Sequence, residues 1–462
     1  MQNSRLIRLI RSLGTVERRN ARYFLQSPLF NTRKDVLSLF DWLCQKESPD
    51  KPAVWAALHP GRPFDDTHLR LQMSYLNRLL EMFLLVQGVN LKTPEAQLRL
   101  AGIYRKRGLN GHFDRTIQAF GKSIEQQPLR NEQYYTRLRH YHLEQYESAV
   151  RKNPAASGPL KEFAHSTDVL YLTTRLRMIC LEISQHNVYP SGETDPLHRD
   201  VIALAESREW SALPAVATYL SAIRMMQGSD LNTDYHAFMR NVTTGSAHFS
   251  QEEMGEFFTF AVNHCIRRVN DGDKVMEHEL FALYQRGLEA GHLFENDGTL
   301  SRFTYHNIVA AGLRCQALDW VDQFIHQYMP FLERAYREGA LSFNLARLEY
   351  ARKRYDNVQQ LLQKANYYDP LLHLAAKTLL LKTYFTLGEF DLLYAHLDAM
   401  RNYIHRKKVL GYHRKNYLNI IRYTELLLQS GHDRRLEAAL RLKIEQEPVL
   451  TEKEWMLAQL AE

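Results

Sequence analysis

The chain is expected to be all-α, a series of helical hairpins packed in sequence order, and three observations lead there. Breakers are scarce: 21 glycines and 15 prolines in 462 residues make roughly 8% against a usual ~12%, which leaves long helices intact. Helix signals recur, each an Asn, Asp, Ser or Thr, then apolar residues at a 3.6-residue period, then Gly or Pro; strand alternation is hard to find. Helical pairs also resemble one another along the chain, most clearly around Tyr355 and Phe390, and such self-similarity marks a repeat architecture. With 45% hydrophobic and 11% aromatic residues a large core is available, which excludes wholesale disorder.

Residues 1–95 do not repeat. They read as four or five short helices punctuated by Ser27-Pro28, Pro49, Pro52 and Pro60-Gly61, and they are assigned to a basic helical cap. Within it, Leu69, Met73, Leu76, Leu80 and Phe83 fall in one stripe of a helix from Asp66 to Gly88, either the buried face of a local bundle or a dimerising coiled coil. Residues 96–245 are assigned to divergent helical hairpins and 246–462 to clearer ones. Loops are expected at Lys152–Pro159, Tyr189–Gly192 and Thr243–Ser246, where Pro, Gly and Ser cluster. In the last region Leu341–Arg352 reads as a first helix and Asp356–Tyr367 as a second, closed by Asp369-Pro370, with the pattern restarting at Leu374. The acid pairs Asp65/Asp66 and Glu252/Glu253 stand at helix starts, where negative charge meets the positive end of the helix dipole.

Leu345, Ala346, Tyr350, Tyr355, Leu362, Ala365 and Pro370 lie at the packing positions of the tetratricopeptide repeat, which this stretch resembles. A second unit follows through Leu380, Leu381, Tyr384, Phe385, Gly388, Phe390, Leu393 and Leu397. A divergent third runs from near Tyr417 through Gly431, Leu436 and Leu440 to Pro448, and an earlier copy spans Gln97–Pro128 with Ile103, Tyr104, Gly111, Phe113 and Phe120. The whole chain is also similar to long helical-repeat proteins predicted in Bacteroidota, a likeness that implies no activity. The tetratricopeptide resemblance implies an α-solenoid whose first helices line a concave groove. The position that points into such a groove would hold Arg105, Arg347, Lys382 and Glu425, with Phe343, Tyr350, Thr378 and Phe385 beside it. A basic and aromatic groove suits an acidic or C-terminal peptide, because charge-assisted hydrogen bonds fix carboxylates while rings supply apolar area.

Charge gives a competing reading. The net charge is +7, and residues 1–34 account for all of it, with eight basic residues including Arg5, Arg8 and Arg11 against Glu17 alone. A second stretch between Ala399 and Thr424 carries Arg401, Arg406, Lys407, Lys408, Arg414, Lys415 and Arg422 without an acid, interleaved with Tyr403, Tyr412, Tyr417 and Tyr423. Basic residues neutralise phosphates and rings stack on bases, so nucleic acid is the alternative partner; a solvated face is the bland one.

Catalytic patterns are not met. Gly121-Lys122-Ser123 has Thr116 where a phosphate-binding loop needs Gly, and His140 and His142, two apart, point to different faces of a helix. Cys44, Cys180, Cys265 and Cys315 are scattered and expected to be reduced. No apolar run is long enough for a membrane span, and the Arg-rich start lacks the apolar stretch of a secretory signal. The expectation is therefore a cytoplasmic, non-catalytic scaffold for a protein or peptide partner, with no cofactor and no metal.

Overall fold

The computed structural model describes residues 4–46, 50–88, 90, 93–156, 158–188, 195–227, 231–295, 297–364, 367, 369–406, 413–430 and 434–460. These are overwhelmingly helical; the one β-type pairing among them is an isolated bridge between Phe294 and Leu300. None of their helices is long and apolar enough to cross a membrane. The chain divides into two compact units, Met1–Pro128 with Glu132–Tyr171, and Leu129–Asn131 with Leu172–Glu462.

In the first unit, α1 (Arg5–Ser12), α2 (Thr15–Gln26), α3 (Lys34–Gln45), α4 (Lys51–Leu58) and α5 (Asp66–Gln87) enclose one core. The stripe Leu69, Met73, Leu76, Leu80 and Phe83 is buried there, against Leu6, Ile10, Leu25 and Phe40 among others. Its place is therefore the interior of a local bundle. Asp65 accepts from the His68 N–H at 3.0 Å and starts α5. The unit continues with α6 (Pro94–Lys106), α7 (Asn110–Glu125), α8 (Glu132–Lys152) and the beginning of α9 (Gly158–Val188), and Ala101, Phe113 and Ile117 form a second small core.

The second unit holds α10 (Leu197–Ala205), α11 (Arg208–Ser211), α12 (Pro214–Gln227), α13 (Leu231–Thr244), α14 (Gln251–Asn270), α15 (Lys274–Glu289), α16 (Arg302–Arg314) and α17 (Leu318–Tyr328). It goes on through α18 (Arg337–Ala351), α19 (Tyr355–Lys364), α20 (Pro370–Leu387), α21 (Phe390–Arg406), α22 (His413–Ser430), α23 (Arg434–Gln446) and α24 (Lys453–Gln459). From α12 onward each helix packs on the next, and α16, α18 and α20 also touch in turn. Caps set the boundaries. Ser250 and Glu253 form a capping box at α14, and Asp273 receives the Val275 N–H at 3.1 Å at α15. α20 starts at Pro370, not at Leu374: Asp369 caps it, and Pro370 sits in its first turn, where no N–H is needed.

A repeated turn joins helices within pairs. Gly108, Gly272, Gln316, Lys353 and Gly388 have φ of 72°, 91°, 56°, 60° and 71°. In each case the following N–H donates to the carbonyl five residues back: Leu109 to Tyr104, Asp273 to Arg268, Ala317 to Gly312, Arg354 to Glu349 and Glu389 to Tyr384, all at 2.9–3.0 Å. This left-handed closure satisfies orphan carbonyls at the helix end. It also corrects a register. In the 97–128 copy the turn lies at Gly108, and Gly111 is already inside α7.

Close helix approach rests on missing side chains. A Cβ on Gly312 would meet Val321 Cγ2 of α17 at 2.5 Å and Phe281 Cε2 of α15 at 3.2 Å. In an exposed helix Gly→Ala stabilises by up to about 1 kcal/mol. At Gly312 the substitution to Ala is expected to destabilise by about 1–3 kcal/mol through overpacking, read as a lower urea midpoint with an unchanged slope. A raised midpoint would contradict the close approach.

Candidate functional site

Helices α18 and α20 present equivalent stripes. On α18, Phe343, Arg347 and Tyr350 are four and three residues apart, and on α20 Thr378, Lys382 and Phe385 repeat that spacing, so each set shares one face. Arg347 and Lys382 each stand six residues before their left-handed turn residue. Counted from Gly108 in the same way, the equivalent residue on α6 is Gly102, not Arg105.

The stripes are partly spent on packing. Phe343 and Thr378 are buried, and the Thr378 hydroxyl donates to its own helix at Leu374 O, 2.9 Å. Half-buried Arg347 lies over the Phe343 ring at 5.6 Å and donates from one Nη1 to His306 O at 3.1 Å and to Asn344 Oδ1 at 3.3 Å. Burial lowers its pKa to about 10, against the opposing pull of Glu452.

Tyr350, Lys382 and Phe385 come together, and two residues from far along the chain meet them. Lys382 Nζ donates to Glu452 Oε2 at 2.8 Å and sits 5.5 Å from the Tyr350 ring centroid and 5.6 Å from that of Trp455. Phe385 meets Trp455 edge to face at 5.4 Å. The Lys382 and Glu452 side chains are 18% and 27% exposed, so water screens their pairing only in part. The basic and aromatic face thus holds an acid and an indole. Neither Glu452 nor Trp455 was singled out from sequence; they lie about 70 residues from Lys382, beyond the reach of any local pattern.

Arg105, in the first unit, is spoken for: its Nε donates to Glu144 Oε2 at 2.7 Å, and it also pairs with Glu147. Glu425 pairs with Arg401, which pairs again with Asp398 at 2.7 Å. Along the second basic stretch Arg406, Arg414, Lys415 and Arg422 are exposed, while Lys407 and Lys408 lie outside the described residues, as does Tyr412. Of its other tyrosines, Tyr423 is buried, Tyr403 stacks on His373 at 4.5 Å, and Tyr417 is half-buried. These rings face protein. Arg5, Arg8 and Arg11 are all exposed on α1, opposite buried Leu6, Ile7 and Ile10.

No family model matches the chain, and neither a curated protein nor a solved structure is similar to it.

Two histidines near this region are held neutral. Burial pushes His306 down to about 4, outweighing the 2.8 Å hydrogen bond between its Nδ1 and Asn344, and burial likewise pushes His396, whose Nε2 lies 2.8 Å from Lys377 O, down to about 4. An unfolded histidine titrates near 6.5. As pH falls from about 6.5 to about 4 the unfolded chain takes up protons that the folded chain refuses, so stability falls by up to ~1.4 kcal/mol per pH unit for each histidine, then levels off below 4. Replacing both by Asn is expected to flatten this part of the urea-midpoint profile relative to wild type. An unchanged slope would place both histidines in solvent.

Proposed function

We propose that the chain is a non-catalytic interaction protein of tetratricopeptide-like helical hairpins, binding a protein or peptide segment on the face made by Tyr350, Lys382 and Phe385, with Phe343 and Arg347 packed behind it. The observation that carries this reading is Lys382, set between two aromatic rings and holding a carboxylate at 2.8 Å. That is the chemistry an acidic peptide with a ring would use. The repeated left-handed turns support the repeat assignment, since they keep successive first helices in one register and bring Arg347 and Lys382 to equivalent places. Buried acids elsewhere are engaged in structure: Glu253 closes its capping box and accepts from Asn131 at 2.7 Å, and Glu349 accepts from Asn357 at 2.6 Å and Arg352 at 3.1 Å.

Affinity capture from native lysate with the full chain and with Lys382→Glu tests the assignment. A partner held by wild type should be lost, by tenfold or more, from the variant when circular dichroism shows the variant folded. Undiminished capture of every partner would remove this face from the function.

A second reading, nucleic-acid binding, is favoured by one observation, the exposed stripe of Arg5, Arg8 and Arg11. It predicts retention on heparin or single-stranded DNA that falls steeply with salt and is weakened by Arg5→Glu with Arg8→Glu. Flow-through of the wild type at low salt would eliminate it.

A further inference from the structure

The segment after α23 has the contacts of a bound ligand. From Pro448 to Leu450 it is irregular, and it then enters the seven-residue α24. Asn416 and Asn419 of α22 grip its backbone. The Thr451 N–H donates to Asn416 Oδ1 at 2.9 Å, Asn416 Nδ2 donates to Thr451 Oγ1 at 3.1 Å, and Asn419 Nδ2 donates to Val449 O at 2.9 Å. Lys382 takes Glu452, and Phe385 takes Trp455. Leu450 and Met456 of this stretch are buried in the core shared with α20 and α22, and Trp455, Leu457 and Leu460 pack partly buried against it.

The two asparagines are the telling residues. Both are buried, at 6% and 8% exposure, and a buried amide without partners is costly. Where a helix face only has to pack, an apolar side chain is the default. Two buried amides three residues apart, each bonded to the main chain of a passing segment, read that segment by its backbone, while Lys382 and the rings beside it read its side chains. A helix of seven residues is too short to hold itself together in water, so α24 stays folded only while docked.

We propose that Tyr350, Lys382, Phe385, Asn416 and Asn419 form a site for a peptide whose irregular backbone is followed by an acid and then, three residues later, by an aromatic ring. Residues Val449–Leu460 are the internal copy of that ligand, a latch that a partner segment of the same pattern displaces. This rests on the interaction reading above and adds its regulation: the site is closed in the resting chain, and apparent affinity for a partner is reduced by the fraction of molecules in which the latch is shut.

The test uses the full chain and a fluorescein-labelled peptide of residues 448–460. In Glu452→Lys the latch is repelled by Lys382, while the peptide keeps its own glutamate. This variant is expected to bind the peptide at least tenfold more tightly than wild type in fluorescence anisotropy. Trp455→Ala, which opens the latch without a charge change, should behave alike. The full chain carrying Lys382→Glu should bind the peptide poorly and recover when the peptide carries Glu452→Lys. Equal affinity of wild type and both opened variants overturns the latch, as does loss of helicity in both, which would make Val449–Leu460 a fixed part of the core. Because the peptide is the chain's own, these results stand apart from the capture experiment: a functioning latch with no partner lost from Lys382→Glu would sink the interaction reading alone.

Discussion

One helical pair cannot cover its own apolar stripe, and everything in the second unit's later half follows from that constraint. α20 shows it most clearly. Its Ala376 and Leu379 pack with Phe343, Ala346, Val358 and Leu362 of the preceding pair. Its Leu374 and Leu381 pack with Leu393, Leu397, Ile420 and Leu427 of the elements that follow. A helix that contributes to two cores is fixed on both sides, and its remaining surface is the one that can carry polar side chains. Lys382 occupies that surface. The last core is completed by Leu450 and Met456, so the covering of the final stripe and the closing of the basic and aromatic face are done by one segment.

Register is what converts packing into a site. The same left-handed closure after α16, α18 and α20 fixes where each first helix stops, and a stripe counted back from that stop emerges at the same height. Arg347 and Lys382 are related in this way. Their surroundings then set their roles. Arg347 is tied to His306 and Asn344 and serves the interior, whereas Lys382 reaches between two rings to a partly exposed acid.

Much of this was legible in the residues. The stripe of α5 and the turn at Gly388 follow from 3.6-residue periodicity and from glycine's freedom at positive φ. Asp65 is a cap, as its place at a helix start indicates. The register of α6 and α7 was not legible, because Gly108 and Gly111 are equally good turn residues and only the backbone decides between them. Counted from Gly111, the 97–128 copy takes the frame of the later units; counted from Gly108, where the backbone turns, that frame is three residues out. Arg105 was thereby aligned with Arg347 and Lys382, although Glu144 and Glu147 hold it. Lys353 and Gln316 take the left-handed position without being glycine, so residue type alone could not reveal those turns. Glu452 and Trp455 were hidden for another reason. A contact across about 70 residues leaves no periodic trace.

On the proposed latch, Val449–Leu460 opens from the α20 and α22 face without unfolding the helices beneath it, although Leu450 and Met456 reach their core. Native-state hydrogen exchange resolved by mass spectrometry tests this directly. Amides of residues 449–460 should exchange through an opening of lower free energy than those of α22, and Glu452→Gln should speed their exchange about tenfold while leaving α22 unchanged. Exchange of both segments only through the same global unfolding, in wild type and variant alike, would contradict the account.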